Sequence, residues 1–287
     1  MKRIFFGFFM ALLLFLVACD VGSQSFVGQS SGKPVQYFVT VAPPKVMPNE
    51  GFTIQGFVRN NGDSDMKNWN LKLFGLSTDV VNVDGDNILN NVQVQKNINP
   101  DMISQEFSKK LNVTKTVYNP MKYSFYLQSS FGYETKATTW FCYSLADPTC
   151  SGNVKEHRVS AGYLQISQPT VELLIDTNEY MKYKVSYTII NPYSDVRLSP
   201  LTITVNLNGW NNVEATFIGK TVEKKESRHS HTINSFELLD NKMTVDFILT
   251  IQKSSIGVTD KLNTITFNIS YTVTEYLPVS VEIIPKQ

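Results

Sequence analysis

The sequence predicts an all-β protein in which two tandem antiparallel β-sandwiches follow an N-terminal signal segment. Apolar residues recur at every second position over most of the chain, which is the period of half-buried strands. Clusters of Asn, Asp, Gly and Pro separate these alternating segments, as turns do. The second half repeats the plan of the first half, and the sequence contains no pattern of a long amphipathic helix.

The start of the chain determines the compartment in which the rest must be stable. Lys2 and Arg3 precede an unbroken apolar run at 4–18, which is typical of a secretion signal. As a helix this run spans roughly 22 Å, short of the ~30 Å hydrocarbon core, so a transmembrane helix is the weaker interpretation. The Leu-Val-Ala-Cys string that ends at Cys19 resembles the lipobox of prokaryotic lipoproteins, which implies a signal peptide cleaved at 1–18 and an acylated cysteine. A plain signal peptide or an uncleaved anchor is the alternative.

Residues 19–33 are rich in Gly, Ser and Gln, and we expect a flexible tether that lifts the folded part off a membrane. Within it, Gly28, Ser30 and Gly32 match the G-x-S-x-G motif of serine hydrolases. That motif needs a strand before the serine and a helix after it, and the sequence offers neither. We therefore expect Ser30 to be a spacer residue and not a nucleophile.

The composition favours a globular protein and argues against a nucleic-acid partner. At 287 residues with 42% hydrophobic content, the chain can bury one large core or two of ordinary size. The whole chain has 26 basic and 25 acidic residues. Removal of residues 1–18 takes away the basic residues Lys2 and Arg3 and no acidic residue, so the net charge of the mature chain is about −1. A nucleic-acid-binding domain would carry a clear basic excess.

Two cysteines, Cys142 and Cys150, follow Cys19 and lie on the secreted side of the signal segment. In an oxidising compartment, two thiols so close in sequence are expected to form a disulfide that closes one loop. Two free thiols in a reducing niche are the alternative. A metal site at this place would need further ligands, and His157 is the nearest candidate.

Residues 34–167 are predicted to form the first sandwich. Trp69 falls in phase with Leu71 and Leu73, so we expect it in the core. The last two strands are predicted to pair as a closing hairpin across a connection at 131–133. The alternating segments read as strands are 35–41, 52–58, 69–73, 103–113, 123–127 and 135–143.

Residues 168–287 are predicted to form the second sandwich, after a hinge at Gln168 and Pro169. The segment YKVSYTIINPYS at 183–194 matches FTIQGFVRNNGD at 52–63, because in each an alternating strand ends in an Asn-centred turn. Both halves have a normal size for such a domain. One large sandwich or barrel of about 14 strands is the alternative. The alternating segments of this half include 171–175, 183–189, 201–207, 245–251, 265–271 and 279–283.

Three segments of the first half carry a family resemblance, and they read VAPP at 41–44, FTIQGFVRNNG at 52–62 and WNLKL at 69–73. Together they resemble the immunoglobulin-like modules of prokaryotic, especially archaeal, cell-surface proteins, and are similar to the cell-adhesion-related (CARDB-like) domain. The resemblance implies tandem immunoglobulin-like sandwiches, surface display, and adhesion or assembly. It weakens in the second half, where Asn191-Pro192 replaces the Asn-Gly turn. It identifies no ligand.

Few side chains are candidates for contact with a ligand. Trp210 lies in a predicted turn and is the best candidate to touch a partner. His229 and His231 share one face if their segment is a strand, and they could bind zinc together with Glu223 or Glu226. A solvated polar strand end is the alternative.

Two further signals depend on short motifs. Asp84 and Asp86 have the spacing of calcium ligands, but the other positions of an EF-hand loop are missing, so we expect a hairpin turn. Asn112 and Asn268 match the glycosylation acceptor pattern, which matters only if the host glycosylates its exported proteins.

The sequence therefore predicts a non-catalytic surface lipoprotein at an extracytoplasmic membrane. The chain has three histidines, and no base or nucleophile stands out in the pattern. We expect no cofactor, and we expect contact with the membrane through Cys19 and with a surface protein or glycan. The predicted role is adhesion, envelope assembly or protein–protein contact. A glycan- or metal-binding accessory module is the alternative.

Overall fold

The computed structural model of the chain is almost entirely β-structure, as the period-two pattern predicts. The signal segment, Cys19 and the tether up to residue 31 lie outside the described residues. The structure describes residues 32–83, 91–101, 104–143, 150, 152–208, 213–218, 224–227, 230–236, 238–255 and 261–286.

Nineteen strands and one short 3-10 turn, η1 at Lys253–Ser255, make up the described secondary structure. Buried and more exposed side chains alternate along most strands, which places one face of each strand against a core. The strands are β1 Val35–Ala42, β2 Lys45–Val46, β3 Gly51–Asn60, β4 Met66–Phe74, β5 Val81–Val83, β6 Asn91–Ile98, β7 Gln105–Val113, β8 Met121–Tyr143, β9 Asn153–Val159, β10 Gln165–Ile166, β11 Thr170–Asp176, β12 Tyr180–Ile190, β13 Val196–Leu198, β14 Leu201–Asn208, β15 Val213–Phe217, β16 Lys224–Ser227, β17 Ser230–Phe236, β18 Lys242–Gln252 and β19 Lys261–Ile283.

These strands form three sheets. A four-stranded sheet has the order β1-β3-β7-β5, and a five-stranded sheet has the order β10-β12-β18-β15 with β11 beside β12. The third, which we call the central sheet, has ten strands in the order β16-β17-β14-β19-β8-β4-β6, with β13 and β2 on β19 and β9 on β8. Among the described strand pairs, only the short pair of β2 with β19 is parallel.

The central sheet is built around the pair β8 and β19, each 23 residues long. They pair antiparallel over their whole length, from Met121 opposite Ile283 to Tyr143 opposite Lys261. Odd-numbered residues of both strands point to the cores, and most even-numbered residues lie on the outer face.

Both sandwiches use this pair of strands. In the first sandwich, Tyr37 of β1 hydrogen-bonds Ser129 of β8 at 2.7 Å, so the four-stranded sheet packs on the first half of β8. In the second, Tyr187 of β12 donates to Thr139 of β8 at 2.9 Å and its ring centroid lies 4.3 Å from that of Phe267 in β19. The five-stranded sheet therefore packs on the second half of β8 and the first half of β19. The buried apolar residues of both sandwiches form one continuous cluster.

The predicted hairpin across 131–133 is wrong, because β8 runs through Gly132 without a turn. Gly132 pairs with Thr272 on one side and with Lys67 on the other, so the ladder continues through it. Glycine permits a turn but does not impose one, and the alternation of buried residues is unbroken on both sides. In the structure, each of the ranges 34–167 and 168–287 contributes half of its longest strand to the sandwich formed mainly by the other range.

A matching Asn turn ends β3 and β12, the second strands of the two smaller sheets. Asn60 and Asn191 are 1% and 3% exposed. In both, Oδ1 accepts from the backbone N–H two residues later, at 3.2 and 3.1 Å. Nδ2 donates to a backbone carbonyl of the same turn, that of Ser64 at 2.7 Å and that of Val196 at 3.1 Å. These side chains replace backbone partners where the ladder ends.

Candidate functional site

The two cysteines predicted to pair lie at bonding distance. The sulfur atoms of Cys142 and Cys150 are 1.91 Å apart, and the Cα atoms are 5.2 Å apart. Cys142 lies near the end of β8, where it pairs with β19 on one side and β9 on the other, and the bond closes the short connection to β9. Both cysteines are buried, and Gly152, at φ +79°, lets the chain pass against the ring of Tyr183.

His157 of β9 is part of a partly buried chain of hydrogen bonds. The hydroxyl of Tyr187 donates to Thr139, and Thr139 Oγ1 lies 2.8 Å from Nδ1 of His157. The other ring nitrogen, Nε2, lies 3.0 Å from the carbonyl oxygen of Ile166. Both imidazole nitrogens are thus engaged, which assigns His157 a structural role. Within the described part of the chain, no group of three His, Cys, Asp or Glu side chains lies close enough to hold a metal ion.

The glycosylation candidates lie within strands. Asn112 of β7 pairs with Gly51 and Asn82, and Asn268 pairs with Thr204 and Lys136 in the middle of the central sheet. Both are half-buried.

The other candidates have three fates. Trp69 is fully buried, as its phase predicts, and its Nε1 donates to Ser129 at 3.0 Å. His231 has its backbone in β17, opposite Val205, but its side chain is not described. The candidates that lie outside the described residues are Cys19, Ser30, Asp84, Asp86, Trp210, Glu223 and His229.

A buried ion pair lies where the two sandwiches meet, in a region we call the junction. Glu275 of β19 is 1% exposed, and its Oε1 lies 3.2 Å from Nζ of Lys33. Lys33 also reaches the exposed Asp195, at 2.6 Å. Burial raises the pKa of the Glu275 carboxyl, and the charge of Lys33 opposes that rise.

Aromatic rings surround this pair. Tyr163 packs edge-on against Tyr133, with ring centroids 5.6 Å apart, and against Tyr193 at 5.8 Å. Burial raises the pKa of the Tyr37 and Tyr163 hydroxyls well above their ordinary value, and the Glu275 charge adds to the rise. Because this carboxyl is sealed from solvent, the cluster is suited to holding segments together and not to acting on an external substrate.

The junction also holds the first described residues of the chain. The hydroxyl of Tyr193 donates to the carbonyl of Gly32 at 2.9 Å, and the backbone N–H of Asn61 donates to Pro34 at 2.7 Å. The chain therefore enters the folded part between the sandwiches. Sequence reasoning missed this site, because nothing local relates Lys33 to a carboxylate near the other end of the chain.

Three aromatic side chains form an exposed cluster on the outer face of the central sheet, which we call the platform. Phe74 of β4 and Tyr126 of β8 are 51% and 45% exposed. The ring centroid of Tyr276 in β19 lies 5.4 Å from that of Phe74 and 6.4 Å from that of Tyr126, both edge-on. The guanidinium of Arg197 lies over the Tyr276 ring, 5.7 Å from its centroid. These side chains lie at outward-facing strand positions, where most other residues in the sequence are polar. An aromatic residue at such a position is the sequence signal that indicates an exposed aromatic cluster.

A shallow polar groove continues from the platform along the same three strands. Strand register places Lys72 beside Gln128, and Gln128 beside Tyr276. Gln128 Nε2 donates to the Tyr276 hydroxyl at 3.3 Å, which links the groove to the platform. The side chains and backbone that line the groove belong to Asn68, Asn70, Lys72, Gln128, Ser130, Phe131, Gly132 and Thr272.

A second groove lies on the four-stranded sheet. The rings of Phe38 and Phe57 stack with centroids 4.5 Å apart and planes 23° apart. Gly56 precedes Phe57 and lines the same groove, and a Cβ there would come within 2.0 Å of the Phe38 carbonyl oxygen, so glycine is required. Thr40, Gln55, Glu106, Phe107 and Ser108 complete the lining.

No protein-family model matches the chain, and no curated protein matches it. Among solved structures, a collagen adhesin from S. aureus aligns at 9% identity over 86% of this chain and 91% of its own, with a TM-score of 0.13. A likeness this weak carries no functional argument, and the β-sandwich assignment rests on the strands described above. Over the described residues, no helix has the length and apolar content needed to cross a bilayer.

Proposed function

We propose that the protein is a non-catalytic surface lipoprotein that works by contact, in adhesion, envelope assembly or protein–protein binding. This proposal rests on one contrast: the polar groups that could act in chemistry are buried or already hydrogen-bonded, whereas a cluster of aromatic side chains is exposed to solvent. Glu275 and His157, the groups best placed for chemistry, are buried in the junction or engaged within strands. The platform, in contrast, presents Phe74 and Tyr126 to solvent on a broad sheet face.

The location of the protein is part of the proposal. The signal segment and Cys19 favour a lipid anchor outside the cytoplasm, and the bond between Cys142 and Cys150 fits an oxidising compartment. Gly32 and Lys33, the last residues of the predicted tether at 19–33, are held in the junction. The rest of the tether would therefore hold the two sandwiches side by side above the membrane. In that arrangement the outer face of the central sheet is available to a partner.

Metabolic labelling with an alkyne fatty acid tests the anchor. We expect the full chain to incorporate label and partition into membranes, and we expect Cys19→Ser to lose the label and to migrate at the size of the uncleaved precursor. Cys142→Ser is the matched control, since it removes a cysteine outside the signal region and should keep the label. An unlabelled wild-type protein would remove the anchoring proposal.

A glycan-binding accessory role is the second candidate, and the platform favours it. Exposed aromatic rings on a sheet face suit the apolar faces of sugar rings. Trp210 remains a proposed further contact. Binding of the full chain on a glycan array, and its loss in Trp210→Ala, would favour this role over protein contact.

A further inference from the structure

We propose that the platform and its groove bind an anionic glycan, meaning a chain of pyranose sugars that carries carboxylate or sulfate groups. This inference deepens the proposed contact function by naming the chemical class of the partner. It rests on three independent properties of the same surface, which are its rings, its hydrogen-bonding side chains and its charge.

The rings of the platform are held in fixed positions. Tyr276 contacts Phe74 and Tyr126 edge-on, its hydroxyl accepts from Gln128, and Arg197 covers part of its ring. Such contacts restrict the rotamers of Tyr276, so binding costs little conformational entropy. Rigid aromatic faces favour stacking against the C–H faces of pyranose rings, a contact that a charged or peptide surface offers less regularly.

The groove supplies the polar half of a sugar site. Asn70, Lys72, Gln128 and Ser130 offer amide, ammonium and hydroxyl groups, which can donate to and accept from sugar hydroxyls. From Gly132 to Tyr126 the surface covers six residue steps of β8, roughly 20 Å at the rise of a strand. The aromatic and polar parts thus form one track, long enough for several sugar units.

The charge next to the track is mainly positive. Lys72 and Arg197 flank the track, and both are exposed. Within the strand segments 66–74, 126–132 and 272–278, Glu275 is the one acidic residue, and it points into the junction where Lys33 neutralises it. Asp195, two residues before Arg197, is exposed, but its carboxylate is paired with Lys33 at 2.6 Å. A carboxylate or sulfate on the glycan would therefore meet the guanidinium fork of Arg197.

Binding assays on detergent-extracted full-length protein test the inference. The probes are oligogalacturonate for carboxylates, dextran sulfate for sulfates and dextran for the neutral case. We expect saturable binding of one anionic probe, at least about tenfold tighter than dextran, and about tenfold weaker binding in Tyr126→Ala or Tyr276→Ala. Lys72→Gln should weaken binding severalfold, in a salt-dependent manner.

Matched controls separate a specific site from general attraction. Tyr118 is 91% exposed and lies away from the platform, so Tyr118→Ala should bind as the wild type does, and so should Lys115→Gln. If circular dichroism shows that the Tyr276→Ala variant does not fold, Phe74→Ala, on a different strand, replaces it as the variant that removes a ring of the platform. Equal binding of dextran, binding that survives loss of the rings, or preference for a proline-rich peptide at the platform would overturn the inference. Each of these results leaves the lipid-labelling test untouched, so failure of the glycan site is distinguishable from failure of the surface-lipoprotein proposal.

Discussion

Lys33 and Glu275 form an ion pair of 3.2 Å inside the junction, and it joins the first described residues of the chain to its last strand. Lys33 has a side chain 10% exposed, and that of Glu275 is 2% exposed. Such a pair adds little net stability compared with apolar residues, but loss of one partner leaves the other buried and unpaired.

Lys33→Ala should therefore lower the free energy of unfolding at neutral pH by about 3 kcal/mol, because the Glu275 carboxylate would lose its counter-charge. Urea unfolding followed by fluorescence measures the change. Lys45→Ala is the matched control, since Lys45 pairs with Glu282 at 3.1 Å on the surface, with side chains 62% and 39% exposed. The control should change stability by less than about 1 kcal/mol. Equal effects of both variants would contradict a special role for the junction pair.

Stability should also depend on pH through Glu275. Burial raises the pKa of this carboxyl in the folded state above its ordinary 4.5, so the folded state binds the proton more tightly than the unfolded state does. The contribution of Glu275 to stability is therefore fully present below pH 4.5, and it is lost as the pH rises through the raised folded value. Glu275→Gln should remove that part of the pH dependence, measured as the difference in unfolding free energy between the two proteins from pH 4 to pH 8. A constant difference over this range would exclude the effect.

The two Asn turns should contribute similarly to stability. Asn60→Ala and Asn191→Ala each remove a buried acceptor and a buried donor, and leave backbone groups without partners. We expect each to lower the unfolding free energy by about 2 kcal/mol. The exposed neighbour Asn61 offers a control, and Asn61→Ala should stay within about 0.5 kcal/mol of the wild type. A wild-type midpoint in thermal unfolding for Asn60→Ala would argue against this role.

The disulfide should stabilise the fold modestly, because the loop it closes is short, with a sequence separation of eight. We expect the double variant Cys142→Ala, Cys150→Ala to lose about 2 kcal/mol of unfolding free energy. Wild-type protein with a reducing agent should lose a similar amount, and the reducing agent should not affect the double variant. A reducing agent that destabilises both proteins equally would point to a different cause.

The strands could be predicted from sequence because side-chain periodicity depends on local backbone geometry. Trp69 and the odd-numbered residues of β8 are buried in the phase that the pattern predicts. The predicted turn at Gly132 was wrong because glycine is common in turns but also occurs within strands, and the local sequence does not distinguish the two cases. Pro278 lies in β19 between the residues that pair with β13 and those that pair with β2, where proline is tolerated.

The junction and the platform could not be predicted in the same way. Lys33 meets Glu275 only because β19 pairs with β8 and packs against β1 of the facing sheet, which is a property of the topology and not of any local segment. The platform was partly visible, since Phe74 and Tyr126 occupy positions out of phase with the buried residues around them. Their assembly with Tyr276 depends on the register between β4, β8 and β19, which the pattern alone does not specify.

The exchange of half-strands between the sandwiches makes the chain resemble a strand-swapped dimer whose two subunits are fused into one polypeptide. Neither half of the chain contains a complete hydrophobic core. Part of β8, from the first half, completes the core of the second sandwich, and part of β19, from the second half, completes the core of the first. Thermal unfolding of the protein should consequently be a single cooperative transition, and not two independent transitions of separate domains. If one half were expressed alone, one edge of its longest strand would be unpaired and exposed to solvent. We expect that edge to pair with the same strand of a second copy, so that the half forms a dimer.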